Sequence, residues 1–161
     1  MTAQPLLDVS DLTVEFTTRR GIVKAVQHVN ISVGKGETVG IVGESGSGKS
    51  VTSYAVMRIL DRAGRIAEGS VMFSGIDVKA ATESQMRDLR GREVSMIFQN
   101  PRAALNPIRK VGHQIEDVLR QHVQQAQVTD RGETAIEALE QVKIARPRER
   151  YRSEERRVGK E

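Results

Sequence analysis

The stretch GIVGESGSGKSV, residues 40–51, constrains the fold of this chain more than any other. It contains the pattern G-x-x-x-x-G-K-[S/T], with Gly43, Gly48, Lys49 and Ser50 at the fixed positions. A loop of this kind needs a buried strand before it and a helix after it, because its backbone amides must converge on an anion at the positive end of a helix dipole.

The residues on either side of the loop fit that requirement. TVGIVG, residues 38–43, is short, apolar and β-branched, which predicts a strand buried on both faces. Residues 50–60 predict a helix with Val51, Ala55 and Ile59 on one face. Strand, loop and helix together predict a phosphate-binding loop.

The chemistry of the loop is set by its residue types. Glycine at positions 43, 46 and 48 permits a positive φ and leaves no Cβ between the backbone and a ligand. Lys49 supplies a positive charge to the β- and γ-phosphates, and the Ser50 hydroxyl is a ligand for Mg²⁺. The alternative is a Gly/Ser-rich turn that only begins a helix. The predicted nucleotide-binding residues are Gly43, Glu44, Ser45, Gly46, Ser47, Gly48, Lys49 and Ser50.

Other elements are predicted from hydrophobic periodicity and turn residues. Further strands are expected at Leu7–Phe16, Val23–Val33, the hairpin segment Ser70–Val78 and Glu93–Phe98. Capping boxes are expected for Thr82 with Gln85, before Met86 and Leu89, and for Asp130 with Glu133, before Ala135, Ile136, Leu139 and Val142. After Pro101 the pattern is helical, with a face formed by Val111, Ile115, Val118, Leu119 and His122. The sequence therefore predicts a mixed α/β core followed by helices.

Composition excludes several classes of protein. No run of 18 apolar residues is present, so no transmembrane helix is predicted. Cysteine is absent, which excludes disulfides and thiolate metal sites. Aromatic residues make up 3% of the chain, which argues against a base-stacking platform for single-stranded nucleic acid. The mild net charge of +4 could favour an anionic partner, but a solvated basic face accounts for it more simply.

Two longer stretches resemble one family. KAVQHVNISVGKGETVGIVGESGSGKS, residues 24–50, and MIFQNPRAALNPIRKVGHQI, residues 96–115, resemble the ATP-binding subunits of ABC transporters, in particular the oligopeptide, dipeptide and nickel importers. The resemblance runs from Leu6 to about Arg150. It implies a truncated P-loop NTPase fold: an N-terminal β-subdomain with part of the parallel-sheet core at 1–100, and the start of a helical subdomain at 101–151.

The resemblance also implies roles for individual residues. Gln99 falls where the family places the Q-loop glutamine, which reaches Mg²⁺ and the attacking water; a polar residue ending a strand is the alternative. Residues Asn100–Gly112 lie where such subunits contact their membrane-spanning permease subunits. Phe16 is the nearest aromatic for stacking on adenine, although Arg20 is closer to the usual position and Phe16 is equally suited to face the core.

The same resemblance implies cofactors, partners and location. The cofactors are ATP and Mg²⁺. The partners are permease subunits, a second ATP-binding subunit, identical or different, and indirectly a solute-binding protein, but not nucleic acid. The expected location is peripheral, at the cytoplasmic face of the inner cell membrane. The expected function of the parent protein is ATP hydrolysis coupled to uptake of peptides or related solutes.

The sequence contains no match to the family's later catalytic motifs. No apolar run closes on Asp-Glu as in the Walker B strand, and the LSGGQ signature and switch histidine are not found either. RSEERRVGKE, residues 152–161, resembles the in-frame translation of a sequencing adapter, so a non-native tail is expected there; a charged helix end is the alternative. We therefore expect an N-terminal fragment that is inactive alone. We also expect it to be poorly folded, because without the later parallel strands the apolar faces at 51–59 and 94–98 stay exposed to water.

Two other functions stay open on the sequence alone. One is a nucleotide-binding module without hydrolysis, which would differ from the importer subunit in the residues beyond position 151. The other is a nucleic-acid-processing ATPase of the same superfamily, against which LNPIRKVG, residues 105–112, argues.

Overall fold

A computed structural model describes residues 4–122 and 130–152, with the side chains of residues 102 and 103 left aside. The chain divides into two compact units, Met1–Arg90 and Gly91–Glu161. None of the described helices has both the length and the apolar character needed to cross a membrane.

The first unit is an antiparallel sheet accompanied by two helices. Its elements are β1 (Leu7–Thr18), β2 (Gly21–Val33), α1 (Lys49–Val56), β3 (Gly64–Phe73), β4 (Ile76–Asp77) and α2 (Glu83–Leu89). The strands lie in the order β2-β1-β3-β4, and every neighbouring pair is antiparallel. The long central strand β1 therefore holds the sheet together.

The predicted strands at the start of the chain are confirmed as β1 and β2. Alternating burial holds only in part, because β1 is buried on both faces from Leu12 to Glu15. Burial of the Glu15 carboxylate is compensated by ion pairs with Arg65 at 2.9 Å and Lys24 at 3.9 Å.

The predicted hairpin is confirmed, with its turn at Ser74 and Gly75 between β3 and β4. The sequence did not indicate that β3 begins as early as Gly64. Gly69 interrupts the pattern there with a φ of +80°, and a Cβ at this position would overlap the carbonyl groups of Ser10 and Asp11. The glycine thus allows β3 to lie against β1 rather than ending the element.

Two predicted strands, 38–43 and 93–98, are wrong for the described structure. Neither segment pairs with a strand among the described residues, and Val94 alone forms an isolated bridge. An extended segment without a neighbouring strand has no partners for its backbone groups, so it does not persist as a strand. Their apolar side chains are accordingly exposed, to 94% for Val42 and 93% for Ile97.

The helix after the loop forms, but it is shorter than predicted. α1 ends at Val56, whereas the prediction continued to residue 60. Arg58 has a φ of +49°, a left-handed conformation that cannot continue a right-handed helix. Ala55 is buried as predicted, while Ile59 lies outside the helix.

The start of α2 confirms its predicted capping box. The Gln85 amide donates to Thr82 Oγ1 at 3.2 Å, and the Thr82 amide donates to Gln85 Oε1 at 2.8 Å. Met86 and Leu89 are buried, as their spacing predicted.

The second unit consists of helices. After a 3₁₀ turn (Pro101–Ala104) it contains α3 (Val111–His122), α4 (Arg131–Gln141) and α5 (Pro147–Arg152). Asp130 caps α4 by accepting from the amides of Gly132 and Glu133, at 2.8 and 3.2 Å. The Glu133 carboxylate instead accepts two hydrogen bonds from Arg148, both 2.8 Å, so the predicted second capping box forms only its Asp130 half.

The predicted apolar faces in this unit are only partly buried. Ala135, Ile136 and Leu139 are buried, but Val118 and Val142 are 53% and 68% exposed. The buried residue of α3 is not one of the predicted face but Gly112, against which the Tyr151 ring lies. Without a Cβ at this position, the ring approaches the helix backbone directly.

Candidate phosphate-binding site

The loop between residues 43 and 50 comes after the irregular segment 38–43 and leads directly into α1. Gly46 and Gly48 have φ values of +83° and +89°, the left-handed region that glycine occupies without steric cost. A Cβ on Gly48 would lie 2.8 Å from the Ala25 carbonyl oxygen and 3.1 Å from Val26 Cγ2. The start of α1 is thus held directly against β2.

The side chain of Lys49 closes the loop on itself. Its ammonium donates to the carbonyl oxygens of Gly43 at 2.7 Å and Glu44 at 2.6 Å, and to Ser47 Oγ at 3.1 Å. The Ser47 amide in turn donates to the Glu44 carbonyl at 3.2 Å. Three of the predicted binding residues, Gly43, Glu44 and Ser47, are therefore hydrogen-bonded to the positive charge of a fourth, Lys49.

The first turn of α1 is left open to an anion. Gly48 is the N-cap residue and provides no side-chain hydrogen bond, and no acidic residue lies in the first turn. Because the first amides of a helix have no partners within the helix, they remain donors for a ligand at the positive end of the dipole. The exposed Ser50 adds a hydroxyl at the same place.

The groups assembled here fit a phosphate. They are an ammonium, backbone amides and hydroxyls, which donate to phosphate oxygens, in a part of the loop where Gly46 has nothing within 4 Å of a Cβ position. The Ser50 hydroxyl fits the oxygen ligands that Mg²⁺ prefers.

Gln99 lies in the second unit, in an exposed irregular segment just before the 3₁₀ turn. Beyond that turn, the segment from Asn106 to Arg109 is fastened to α3. Gln114 accepts from the Asn106 amide at 2.9 Å and donates to the Asn106 and Arg109 carbonyls at 3.1 and 3.2 Å. Arg109 pairs with Asp117 at 2.6 Å, and this hydrogen bond lowers the pKa of the Asp117 carboxyl. The anchored segment carries Ile108 with 74% of its surface exposed.

Phe16 lies half-buried on β1, with its ring packed over Gly64 of β3. A Cβ on Gly64 would lie 2.7 Å from Phe16 Cε1. One part of the ring is therefore used in packing within the sheet. Arg20 is exposed in the turn after β1, where its amide donates to Thr18 Oγ1 at 3.2 Å.

The supporting role of β2 was missed at the sequence level. The carbonyl oxygen of Ala25 and a methyl group of Val26 occupy the space that a Cβ on Gly48 would need. Every residue has a backbone carbonyl, so the residue type of Ala25 does not indicate this role. The signal in the sequence was the glycine at position 48, which leaves room for that carbonyl.

Comparison with known proteins points to one family. The pattern of the ABC transporter family matches residues 26–158. The chain is 44% identical over 146 residues to the oligopeptide transport ATP-binding protein OppD of Bacillus subtilis, covering 90% of this chain and 40% of that protein. It is 43% identical over 150 residues to OppD of Escherichia coli, covering 93% and 44%. The chain thus spans about two fifths of the length of these relatives.

Solved structures share the fold. The dimeric structure of MJ0796, a bacterial ABC transporter cassette, matches with a TM-score of 0.74 at 21% identity, over 92% of this chain and 60% of that one. A post-hydrolysis state of the same cassette, bound to ADP and Pi, matches with a TM-score of 0.73 at 22% identity, covering 92% and 61%. With a family pattern that covers most of its length, the chain belongs to the ATP-binding domains of the ABC transporter family.

Proposed function

We propose that this chain is part of the ATP-binding subunit of an importer that couples ATP binding and hydrolysis to the uptake of peptides or related solutes. The observation that carries the proposal is the position of Lys49. Its ammonium donates to three oxygens of the loop, next to the uncapped first turn of α1. The 43–44% identity to the two OppD proteins supports peptides as the solute class.

Within this proposal the loop holds the triphosphate. The amides of residues 45–50 donate to the β- and γ-phosphate oxygens, and the Lys49 ammonium exchanges its carbonyl partners for phosphate. Ser50 and Gln99 hold Mg²⁺, which neutralises charge on the phosphates when it is bound. Phe16 remains the proposed adenine contact, supported by the part of its ring left uncovered in the sheet.

We place the membrane partner at Asn100–Gly112. Leu105 and Ile108 are both exposed in this range, and Gln114 and Arg109 join the segment that carries Ile108 to α3 by hydrogen bonds and an ion pair. Neighbouring exposed apolar side chains favour a contact with another protein. A second ATP-binding subunit, identical or different, pairs with this one, and a solute-binding protein acts through the permease. The assembly lies at the cytoplasmic face of the membrane, and nucleic acid is not a partner.

We infer that the 161-residue chain binds nucleotide but does not hydrolyse it alone, because the Walker B, signature and switch motifs are not found in its sequence. The proposed division is 1–100 for the core, 101–151 for the start of the helical subdomain and 152–161 for a non-native tail. Residues 153–161 of that tail lie outside the described residues.

Replacing the lysine tests the proposal. We expect Lys49→Ala to weaken MgATP binding about tenfold or more, since a hydrogen bond to a charged group contributes about 1.5–3 kcal/mol. The matched control is Lys35→Ala, which removes an exposed lysine from the turn after β2 and leaves the net charge equal to that of the test variant. Calorimetric titration of both variants measures the difference. Equal affinity of wild type and Lys49→Ala for MgATP would show that Lys49 does not bind the nucleotide and would contradict the assignment of this loop as the binding site.

A further inference from the structure

Three ligand-bearing side chains meet on the sheet of the first unit. Asp11 lies on β1, His28 on β2 and Glu68 on β3. One ligand atom from each, a carboxylate oxygen or an imidazole nitrogen, lies within 4.8 Å of the other two. All three residues are exposed, so an ion from solution reaches them freely.

The irregularities of the three strands bring these residues together. The pairing of β1 with β2 shifts register between Val9 and Leu12. The pairing of β1 with β3 shifts register between Ser10 and Thr13. Asp11 lies inside both shifts. It has a φ of +51°, as does His28 on β2.

Neighbouring groups hold the cluster in position. The Asp11 amide donates to Asn30 Oδ1 at 2.8 Å. Gly69, next to Glu68, packs its backbone against the carbonyl groups of Ser10 and Asp11. The three strands are thus fixed where the three side chains emerge.

The one basic group of the cluster is the His28 imidazole. Asp11 Oδ1 lies 2.8 Å from His28 Nδ1. Among residues 4–122 and 130–152, no lysine or arginine forms an ion pair with Asp11 or Glu68. Two carboxylates therefore share a site with one imidazole, and a divalent cation would neutralise them.

We propose that Asp11, His28 and Glu68 bind a divalent transition-metal ion of the Zn²⁺ type, which fastens β1, β2 and β3 to one another. An imidazole nitrogen with carboxylate oxygens suits Zn²⁺ rather than Mg²⁺, which prefers oxygen ligands throughout. Bonds of about 2.1 Å in tetrahedral geometry place ligand atoms about 3.4 Å apart, so small rotations of these exposed side chains close the site. Water takes the fourth position. The site shares no residue with the proposed phosphate loop.

Titration with ZnCl₂ tests this site in the full chain, in a buffer without phosphate or chelator. Calorimetry and thermal melts are compared for wild type, Asp11→Asn, His28→Asn and Glu68→Gln. Asparagine suits the positive φ of the first two positions, so the backbone is preserved while the ligand is removed. His113→Asn removes an exposed histidine from α3 and serves as the matched control.

We expect Zn²⁺ to bind wild type and His113→Asn equally, with a Tm that rises with free Zn²⁺. Each of the three cluster variants should bind about tenfold or more weakly and lose that rise. MgCl₂ should not replace ZnCl₂. Wild-type affinity in all three cluster variants would overturn the site. A loss confined to His28→Asn would also overturn it, because it would show a single histidine binding the ion without the carboxylates.

Discussion

Gly48 links the chemistry of the loop to the sheet that supports it. Its backbone is left-handed, and the position of its missing Cβ lies 2.8 Å from the Ala25 carbonyl oxygen. Gly46 is also left-handed, but nothing lies within 4 Å of its Cβ position. Replacing Gly46 by alanine therefore measures the cost of a left-handed backbone alone. Replacing Gly48 adds the cost of a steric clash with β2.

We expect Gly46→Ala to destabilise the fold by about 1–2 kcal/mol, the cost of a left-handed non-glycine residue. Gly48→Ala should cost measurably more, because its methyl group also displaces the start of α1 from β2. Urea unfolding of the two variants measures the difference. Equal losses would show that the contact with Ala25 does not restrict the loop.

In the first unit, ion pairs of an acidic residue in the first turn of α2 connect this helix to the segment that follows α1. Glu83 forms ion pairs with Arg58 and with Arg90, the second at 3.0 Å. Arg90 also donates to the carbonyls of Met57 and Arg58, at 2.9 and 2.8 Å. These bonds join the end of α2 to the residues that come after α1.

The ion pairs of Glu83 with Arg58 and Arg90 should make the stability of the first unit depend on pH. The hydrogen bond from Arg58, and then that from Arg90, lowers the pKa of Glu83 below its ordinary value of 4.5. A lowered folded-state pKa contributes stability that is present above pH 4.5 and is lost as pH falls through the folded-state pKa. We expect Glu83→Gln to lower Tm at pH 7 and to flatten its fall below pH 4.5.

Asp88→Asn is the control for that measurement, since Asp88 is an exposed acidic residue of the same helix. Thermal melts between neutral and acid pH compare the two variants with wild type. If Glu83→Gln keeps the full acid dependence of wild type, the ion pairs with Arg58 and Arg90 do not contribute to the stability of the unit.

In the second unit, the contact between α3 and α5 depends on Gly112. The Tyr151 ring occupies the space of a Cβ at that position, and its hydroxyl donates to Glu116. Alanine favours a helix over glycine by about 1 kcal/mol, but overpacking costs about 1–3 kcal/mol. We expect Gly112→Ala to be destabilising overall.

A double variant distinguishes packing from propensity. In a Tyr151→Ala background the ring is gone, so Gly112→Ala should become neutral or stabilising in urea unfolding. A Gly112→Ala effect of the same size in both backgrounds would mean that the ring does not pack on α3.

For the molecule as a whole, local patterns predicted more than long-range pairings did. The loop pattern, the Thr82 capping box and the strands β1 and β2 depend on residues close in sequence, and the structure has each of them. The strands at 38–43 and 93–98 were wrong because an apolar run shows that a segment tends to be buried but does not supply the neighbour that buries it. Val42 and Ile97 show this most clearly, since both are almost fully exposed.

In the candidate site, too, the local pattern was predictable and the long-range support was not. Glycines, lysine and serine at fixed spacing predicted the loop, and Lys49 lies within hydrogen-bond distance of Gly43, Glu44 and Ser47. The support from Ala25 could not be predicted, since any residue has a carbonyl. The cluster on the sheet was missed for a related reason: bulges in β1, which residue types do not reveal, bring Asp11 near His28 and Glu68.

The central claim is that backbone amides of residues 45–50 and the Lys49 ammonium hold a triphosphate. Amide chemical shifts of ¹⁵N-labelled chain during titration with MgATP test it most directly. We predict that the largest changes fall on Gly46 through Ser50, and that AMP at the same concentration produces much smaller ones, because binding depends on the terminal phosphates. Changes centred elsewhere, or equal changes with AMP, would contradict the account.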